Sequence, residues 1–568
     1  MTESGPATEW NEAEFHSVLV RLEAEGTVDA RRVRISPQQL ERILEAAPRD
    51  PDRGDRPMLR GANFHGATFT GGASFDGATF TGDAWFGGAT FTGDAWFGGA
   101  TFTGASFDGT TFTGDARFGG ATFTGGASFD GTTFTGDASF GRATFTGDAR
   151  FGRATFTGDA WFDGATFTGG AWFDGATFTG DAWFGRATFT GDAWFGRATF
   201  RSRVWLGPVV AAGTLSFDQA AFDEEVRLDA AAAQLSCRGT RFGGRADLNV
   251  RWAEVALDEA TFVQRSRLAG VEPFPYIDDS LAQVCRVDRR LDAQPRPRVL
   301  SVRQANVENL ALGNIDLRAC RFYGAHGLDQ LRVEADCDFA EPPPRRRYTR
   351  RRTLAEEHHW RARRSLEGAV PPADPEAAPA SNPSGRQDSG DWNPPECQPA
   401  AWLEQGAEGQ TLDAPRIASL YRLLRKALED RKDEPGAANF YYGEMEMRRH
   451  SRPAGRRPEG RATRDRGEHA ILTLYWLLSG YGLRATRAFG ALLVTLTLFT
   501  ALLYVFGLRP DHRHFSDALL QSIEGAAFRA TDRSVLNQVG QYLQVALRIL
   551  GPLFLGLALL SLRGRVKR

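Results

Sequence analysis

The sequence predicts a β-solenoid joined to an α-helical C-terminal region that carries two transmembrane helices. Three observations lead there. A Phe recurs from Phe64 to Phe200 at alternating spacings of five and six residues, with one five at Phe107 where six is due. Each 11-residue period holds Thr-Phe-Thr or a close variant and two or more Gly, which is poor helix material and suits short extended segments with corners. Two long apolar segments then lie close to the C-terminal end.

Whole-chain averages hide this division. The chain has 568 residues, 42% of them hydrophobic, and a formal charge of -2, but Phe and Gly concentrate in the repeat and Leu in the last segments. Its five cysteines are scattered, odd in number and form no C-x-x-C, so no disulfide framework, metal site or cofactor is expected. The start, MTESGPATEWNEAEFHS, is acidic and lacks an apolar run, so no cleavable signal peptide is expected and the chain begins in the cytoplasm. Residues 1–60 read as short helices, with LVRLEAEG and PQQLERILEAA amphipathic, and are expected to cap the first coil.

Within the repeat, period-two alternation turns Ala78 and Phe80 inward and Thr79 and Thr81 outward, while Gly82 is expected to take a corner conformation closed to residues with a Cβ. The units A-T-F-T-G and D-A-W-F-G-x, repeated across roughly residues 61–200, resemble the pentapeptide-repeat family, in which a small residue stands two positions before a central Leu or Phe. That resemblance implies a right-handed, four-sided β-helix with four units per coil. The chain departs from the family pattern by using Phe throughout and by a sixth residue in alternate units, which implies wider corners on opposite sides. The 26 Phe positions give between six and seven coils, about 30 Å at ~4.8 Å per layer, around a core of four Phe ladders. Residues 201–340 read as a degenerate continuation with insertions, because Phe217 and Phe222 stand five apart and Val307, Leu312, Leu317 and Phe322 fall at strict fives.

With Phe and Ala inside, any function of the rod belongs to its outward positions. Trp85, Trp96, Trp161, Trp172, Trp183 and Trp194 form a candidate protein-interaction surface, since exposed aromatics dominate interface hot spots; the plainer reading is that each Trp covers the neighbouring strand. Outward Thr ranks would suit ice binding, which has no place in the cytoplasm. Asp83, Asp94, Asp115, Asp137, Asp148, Asp159, Asp181 and Asp192 would suit mimicry of DNA, but Arg117, Arg142, Arg150, Arg153, Arg186 and Arg197 dilute their field, and nucleic acid is not an expected partner. A passive spacer needs no further assumption. No nucleophile–base pair or paired-carboxylate motif stands out, so no catalytic residue is assigned and no enzyme is expected.

Residues 341–411 begin with an Arg-rich run whose Arg345, Arg346, Arg347, Arg350, Arg351 and Arg352 are candidate contacts for anionic lipid headgroups, as are Arg456 and Arg457 further on. His358 and His359 beside Glu356 and Glu357 lack the H-E-x-x-H spacing of a metal site. Residues 366–411 are rich in Pro, Ala, Ser and Gly and read as a linker. An αα-hairpin is expected over 412–450, where Asp413 precedes Pro415 and Ile417, Leu420, Tyr421, Leu424 and Leu428 share a face. Residues 451–487 read as a basic juxtamembrane region whose apolar stretch 469–482 is too short to span and offers Tyr475, Trp476 and Tyr481 to the interface.

Residues 488–508 are uncharged and long enough to cross a bilayer. Residues 542–562 form a second span in which Arg548 either snorkels to the interface or faces a pore or subunit interface. Arg crowds both outer flanks while the 509–541 loop is balanced, so the positive-inside rule predicts a plasma-membrane protein with both termini cytoplasmic and 563–568 as a basic tail. The order helix, short apolar helix (SDALLQSIEGAAF), helix is similar to the two-helix pore module of ion channels, without a T-V-G-Y-G filter; the residues after Phe528 read RATDRSVLNQ. The expected function is therefore a non-enzymatic, membrane-anchored repeat protein presenting a cytoplasmic rod as scaffold or interaction surface. Its expected partners are the bilayer, a protein of unknown identity and further copies of itself, with a channel-like pore protein as the alternative.

Overall fold

The computed structural model describes residues 8–50, 54–271, 296–334, 336–343, 351–367, 412–451, 459–512, 514–527 and 533–566. They form two units, a β-solenoid that also takes in residues 354–362, and a helical unit that takes in residues up to 353 of the Arg-rich run and everything described from 412 onward.

The solenoid is built from strands of mostly two residues because the chain must turn after every inward Phe. Its first face is a ladder of twelve strands, in which Thr90 and Phe91 lie directly over Thr68 and Phe69 and under Thr111 and Phe112. Isolated bridges carry the ladder on through Asn306 to His326, for about 14 turns in all. Three further faces follow in each coil: Ala95–Trp96 is in face two, Thr122–Phe123 in face three, and Ala127–Ser128 in face four. Like residues therefore stack on like, and the rings show it. Phe69 and Phe91 are 4.4 Å apart at 5°, Phe86 and Phe107 4.7 Å apart at 0°, while the ladders of opposite faces two and four meet edge to face across the core, as Phe86 and Phe97 do at 84°. Each ring is essentially buried, which is worth about 2–3 kcal/mol per Phe, with about 1 kcal/mol more for favourable ring pairs.

The missing residue before Phe107 is absorbed at a wide corner. Phe102 keeps its register with Phe80, and the ladder then shifts so that Gly104 pairs with Asp83.

Two kinds of glycine make the corners, and the corner at Gly82 is closed to a Cβ by the layer below it and not by a left-handed backbone. Gly82 has no positive φ; a Cβ there would lie 1.9 Å from the carbonyl oxygen of Arg60 in the layer below. The same close approach recurs at Gly158, 2.6 Å from the Gly136 oxygen. The left-handed position is the corner after the A-W-F units. Gly164 has φ 68°, and Arg142 and Arg186, one layer below and one above it, hold φ 58°. Arg142 Cγ lies 3.5 Å from where a Cβ of Gly164 would stand, so small and long residues alternate along that corner.

Part of the N-terminal region is itself a coil. Helices α1 (Glu12–Glu25) and α2 (Pro37–Ala46) each begin with a reciprocal capping box, Asn11 with Glu14 and Ser36 with Gln39. Between them Thr27–Asp29 pairs parallel with Gly61–Asn63, and Val33–Ile35 with Thr68–Phe69. The inward Val28, Val33 and Ile35 are buried, a short apolar alternation that lacks Phe.

At the other end Phe222, Phe242 and Phe262 continue one ladder, and Val307, Leu312, Leu317 and Phe322 are buried. Helix α3 (Ala355–Glu367) starts against the solenoid end. There Glu356 accepts the Phe322 N–H at 2.5 Å, and the buried Glu357 pairs with Arg361 at 2.7 Å. The Arg-rich segment thus satisfies backbone donors of a late coil, the requirement every solenoid end must meet. Burial pushes the Glu356 carboxyl from 4.5 up to about 7.

In the helical unit, α4 (Ala414–Asp430) and α5 (Glu434–His450) form a hairpin with Ile417, Leu420, Tyr421, Leu424 and Leu428 buried. Helix α6 (Glu459–Ser479) is longer than the apolar stretch alone suggests and exposes Ile471, Leu474 and Leu477. Helix α7 (Ala485–Leu502) runs on through a wider turn at Leu503–Gly507, α8 is short (Phe515–Ala526), and α9 is Gln538–Val566. The 23 residues Ala485–Gly507 and the 22 residues Gln538–Leu559 are long and apolar enough to cross a membrane, each rising about 33–35 Å. Both start three or four residues earlier than hydropathy alone placed them. Helix α8 packs on their loop ends through Ala518 against Leu503, Leu508 and Leu536.

The two glycine classes predict different tolerances. Gly158→Ala should lower the unfolding midpoint markedly, by an equivalent of about 2–4 kcal/mol, whereas Gly175→Arg, which copies Arg153 and Arg197 at the same corner, should cost about 1 kcal/mol or less; thermal unfolding of the full chain compares them. For Glu356 the folded chain keeps its proton to about pH 7 while the unfolded chain releases it near 4.5. Stability should therefore fall as pH rises through that window, by roughly 3 kcal/mol at most. Unfolding midpoints measured from pH 4 to 8 should show this slope in the native chain and lose it in Glu356→Gln.

Candidate functional site

The outward side chains form columns along the rod, and the two D-A-W-F-G units of each coil stand half a coil apart. The six tryptophans therefore divide between opposite faces. Face two carries Trp96, Trp161 and Trp183, and face four carries Trp85, Trp172 and Trp194. Trp205, which the repeat count missed because its unit reads R-V-W-L-G, continues face two directly over Trp183. Its position 22 residues after Trp183 was the available signal.

Three successive tryptophans thus occupy face two and two occupy face four. Trp183 and Trp205 stack at 5.7 Å, Trp172 and Trp194 at 5.0 Å. Arginines continue each stack: Arg227 lies 5.1 Å from the Trp205 ring, Arg150 5.8 Å from Trp172 and Arg117 5.8 Å from Trp96. Trp85, Trp161 and Trp205 remain 50%, 45% and 42% exposed and the others are half-buried. Each indole therefore covers its neighbour and still offers an apolar edge outward. At the N-terminal end Trp96 also walls a groove of about 460 Å³ beside Leu40, Leu44 and Arg49 of the α2 region.

The other outward groups are largely used by the rod. Asp94, Asp115, Asp137 and Asp159 each accept the backbone N–H of the next residue in their column at 2.9–3.2 Å. These aspartates fasten one wide corner to the next. Thr92 and Thr124 turn their hydroxyls onto Phe69 and Phe102 carbonyls. Burial raises the Asp163 and Asp174 carboxyls above their ordinary values. The thiols of Cys237, Cys320 and Cys337 are buried and pushed up by desolvation, that of Cys337 to about 11, which leaves them poor nucleophiles. Among the described residues no cluster of three His, Cys, Asp or Glu could hold a metal.

Of the arginines assigned to lipid headgroups, Arg345, Arg346, Arg347, Arg350, Arg456 and Arg457 lie outside the described residues. Arg351 is turned inward: it is 6% exposed, donates to the Tyr421 hydroxyl at 3.1 Å and lies 5.6 Å from the rings of Tyr421 and Tyr442. Its place in the helical unit corrects the headgroup assignment, because the guanidinium is buried and engaged by the Tyr421 hydroxyl and two tyrosine rings. Arg352 pairs loosely with Asp433 at 4.0 Å. Arg548 is half-buried on α9, one turn beyond Gln544, whose buried amide donates to Gln521 of α8 at 3.1 Å.

The aromatic residues expected at the membrane interface are also drawn inward. Gly480, Tyr481 and Gly482 all have positive φ, which folds the Tyr481 ring back to 5.1 Å from Tyr442 and its hydroxyl to 3.2 Å from Glu446. Burial and the Glu446 carboxylate together raise that hydroxyl above its ordinary pKa. Trp476 donates to the Tyr442 hydroxyl at 3.1 Å and is clamped between Arg449 and Arg487, 4.5 and 5.0 Å from its ring. The hairpin and the start of the first apolar span are thereby joined by one aromatic and charged cluster.

Compared with known families, the chain matches the model for pentapeptide repeats, nine copies, over residues 55–101, 97–144 and 140–188. No curated protein and no solved structure matches it. The matched residues hold most of the Phe ladders, glycine corners and outward Trp columns described above, and over residues 55–188 the chain is built of pentapeptide repeats.

Proposed function

We propose that this protein is a non-enzymatic, membrane-anchored scaffold that presents its β-solenoid as a protein-interaction surface. The observation that carries the reading is the exposed Trp ladders on a rod whose core is fully packed. Aromatic edges held rigidly on a sheet bind at low entropic cost, because little side-chain freedom remains to be lost. The anchoring half of the reading rests on the two apolar helices, whose exposed Leu493, Val494, Ile549 and Leu553 suit contact with lipid. Arg-rich flanks favour a plasma-membrane topology with both termini in the cytoplasm.

One observation favours a second reading, a channel-like pore. The buried Gln521–Gln544 bond places two amides between the short helix α8 and the second apolar span, α9, and polar groups buried against a span commonly mark a pathway.

Affinity capture from native membranes separates the halves of the proposal. Changing Trp161, Trp183 and Trp205 to Ser should remove a defined set of co-purifying proteins while leaving the protein in the alkali-resistant membrane fraction. An unchanged partner set overturns the interaction surface, and release into the soluble fraction overturns the anchor. Reconstituted protein should be electrically silent; a conductance abolished by Gln521→Leu would establish the pore instead.

A further inference from the structure

The residues outward on face two follow a sequence that reads as its own complement when reversed about Trp183. One layer to either side stand Trp161 and Trp205. Two layers away are Ser139 on one side and Arg227 on the other. At three layers Arg117 is matched by Asp247, and at four Trp96 is matched by Arg267. Arg117, Asp247 and Arg267 have side chains 48%, 27% and 52% exposed.

We propose that face two is the interface for a second copy of this chain, paired antiparallel with a two-fold axis at Trp183. Two rods laid face to face in that sense stack Trp161 against Trp205 twice, bring Arg117 to Asp247 twice, and offer each Arg267 a Trp96 ring. A two-fold interface must be self-complementary in this way, with residue i meeting j and j meeting i. The nine layers involved span about 40 Å, a length adequate for an interface of ordinary size.

Competing registers are disfavoured by like charge. Sliding one copy by a single layer puts Arg117 against Arg227 in one direction and against Arg267 in the other. Parallel pairing sets every residue on itself, with Arg117 on Arg117 and Asp247 on Asp247. Arg117 already pairs with Asp115 at 3.0 Å and Asp247 with Arg245 at 2.9 Å, so the contacts between copies select the register more than they add affinity. Face four has no such pattern. Reversed about the midpoint of Trp172 and Trp194, it sets Arg150 against Ser216 and Ser128 against Ser236.

The inference rests on the reading of the rod as an interaction surface and names one occupant of it. The test uses full-length chains in membranes, with Cys285 and Cys397 changed to Ser and two distinguishable tags. One chain carries Ser139→Cys and the other Arg227→Cys, and a short bismaleimide links them. The mixed pair should cross-link strongly and neither variant with itself. Arg117→Asp added to both chains should lower the yield about tenfold, and Arg117→Asp with Asp247→Arg should restore it. Trp172→Ser with Trp194→Ser, on the opposite face, should leave it unchanged. Self-linking in place of mixed linking, absence of any cross-link, or failure of the double charge exchange to restore the yield each overturns the antiparallel pair. If the cross-link fails while Trp161, Trp183 and Trp205 still govern capture of other proteins, the interaction reading stands and only this occupant falls.

Discussion

Everything in the solenoid follows from the coincidence of two lengths. Parallel strands repeat at about 4.8 Å, and flat phenylalanine rings stack comfortably at nearly the same distance, as the 4.4–5.1 Å centroid separations along the four ladders between Phe64 and Phe200 show. Because the backbone ladder and the ring ladder share one pitch, every coil can be the same coil. Inward Phe fixes the side length, side length fixes the corner, and a corner repeated at one pitch forces its glycine to lie against the glycine below. Where Phe gives way to Val, Leu and Ala after Phe200, that constraint relaxes. Strands lengthen to Val204–Ser216 and the coil drops from 22 residues to 20 between Phe222 and Phe262.

The same geometry decides what an outward residue is free to do. Aspartate at a wide corner reaches the next backbone N–H, and threonine beside an inward Phe reaches the carbonyl below, so both are recruited to hold the layers together. Tryptophan on the A-W side has no polar partner within its own column beyond an occasional arginine, and only its neighbouring indole to cover it. Among the outward columns, the A-W faces therefore keep the side chains least engaged by the backbone, while Asp94, Asp115, Asp137 and Asp159 serve it.

Most of the solenoid was legible in the sequence because a strict period repeats its evidence many times. The alternation about each Phe specifies the inward Ala, the five-and-six spacing specifies the wide corners, and the resemblance to pentapeptide repeats supplies the four ladders. The places it failed are those with a single example. Val28, Val33 and Ile35 form a coil without a repeat to announce it, Glu356 caps a late coil from within a run whose arginines suggest a lipid surface, and Trp205 is hidden by Val and Leu where Ala and Phe usually stand. The two apolar spans were legible from length and composition, but the cluster around Trp476 was not. Aromatic residues beside an apolar stretch suggest a lipid interface, and nothing local in the sequence reports that three successive positive-φ residues turn Tyr481 back onto the hairpin. Of the candidate site, residue identity was readable, and the division of the tryptophans between faces lay in the sequence too, in whether an odd or even number of 11-residue units separates them, once four short units are known to make a coil.

That parity has a consequence for how such a rod can change. One D-A-W-F-G-x-A-T-F-T-G unit is half a coil, so a duplication or loss of a single unit leaves the core intact, yet turns everything beyond it through half a revolution. Every downstream tryptophan would pass to the opposite face. Units exchanged in pairs only lengthen or shorten the rod and preserve which residues share a column. Recombination among nearly identical repeats can thus rewrite the surface in one step with no cost to folding, and a chain that depends on its faces is under pressure to count its units by twos.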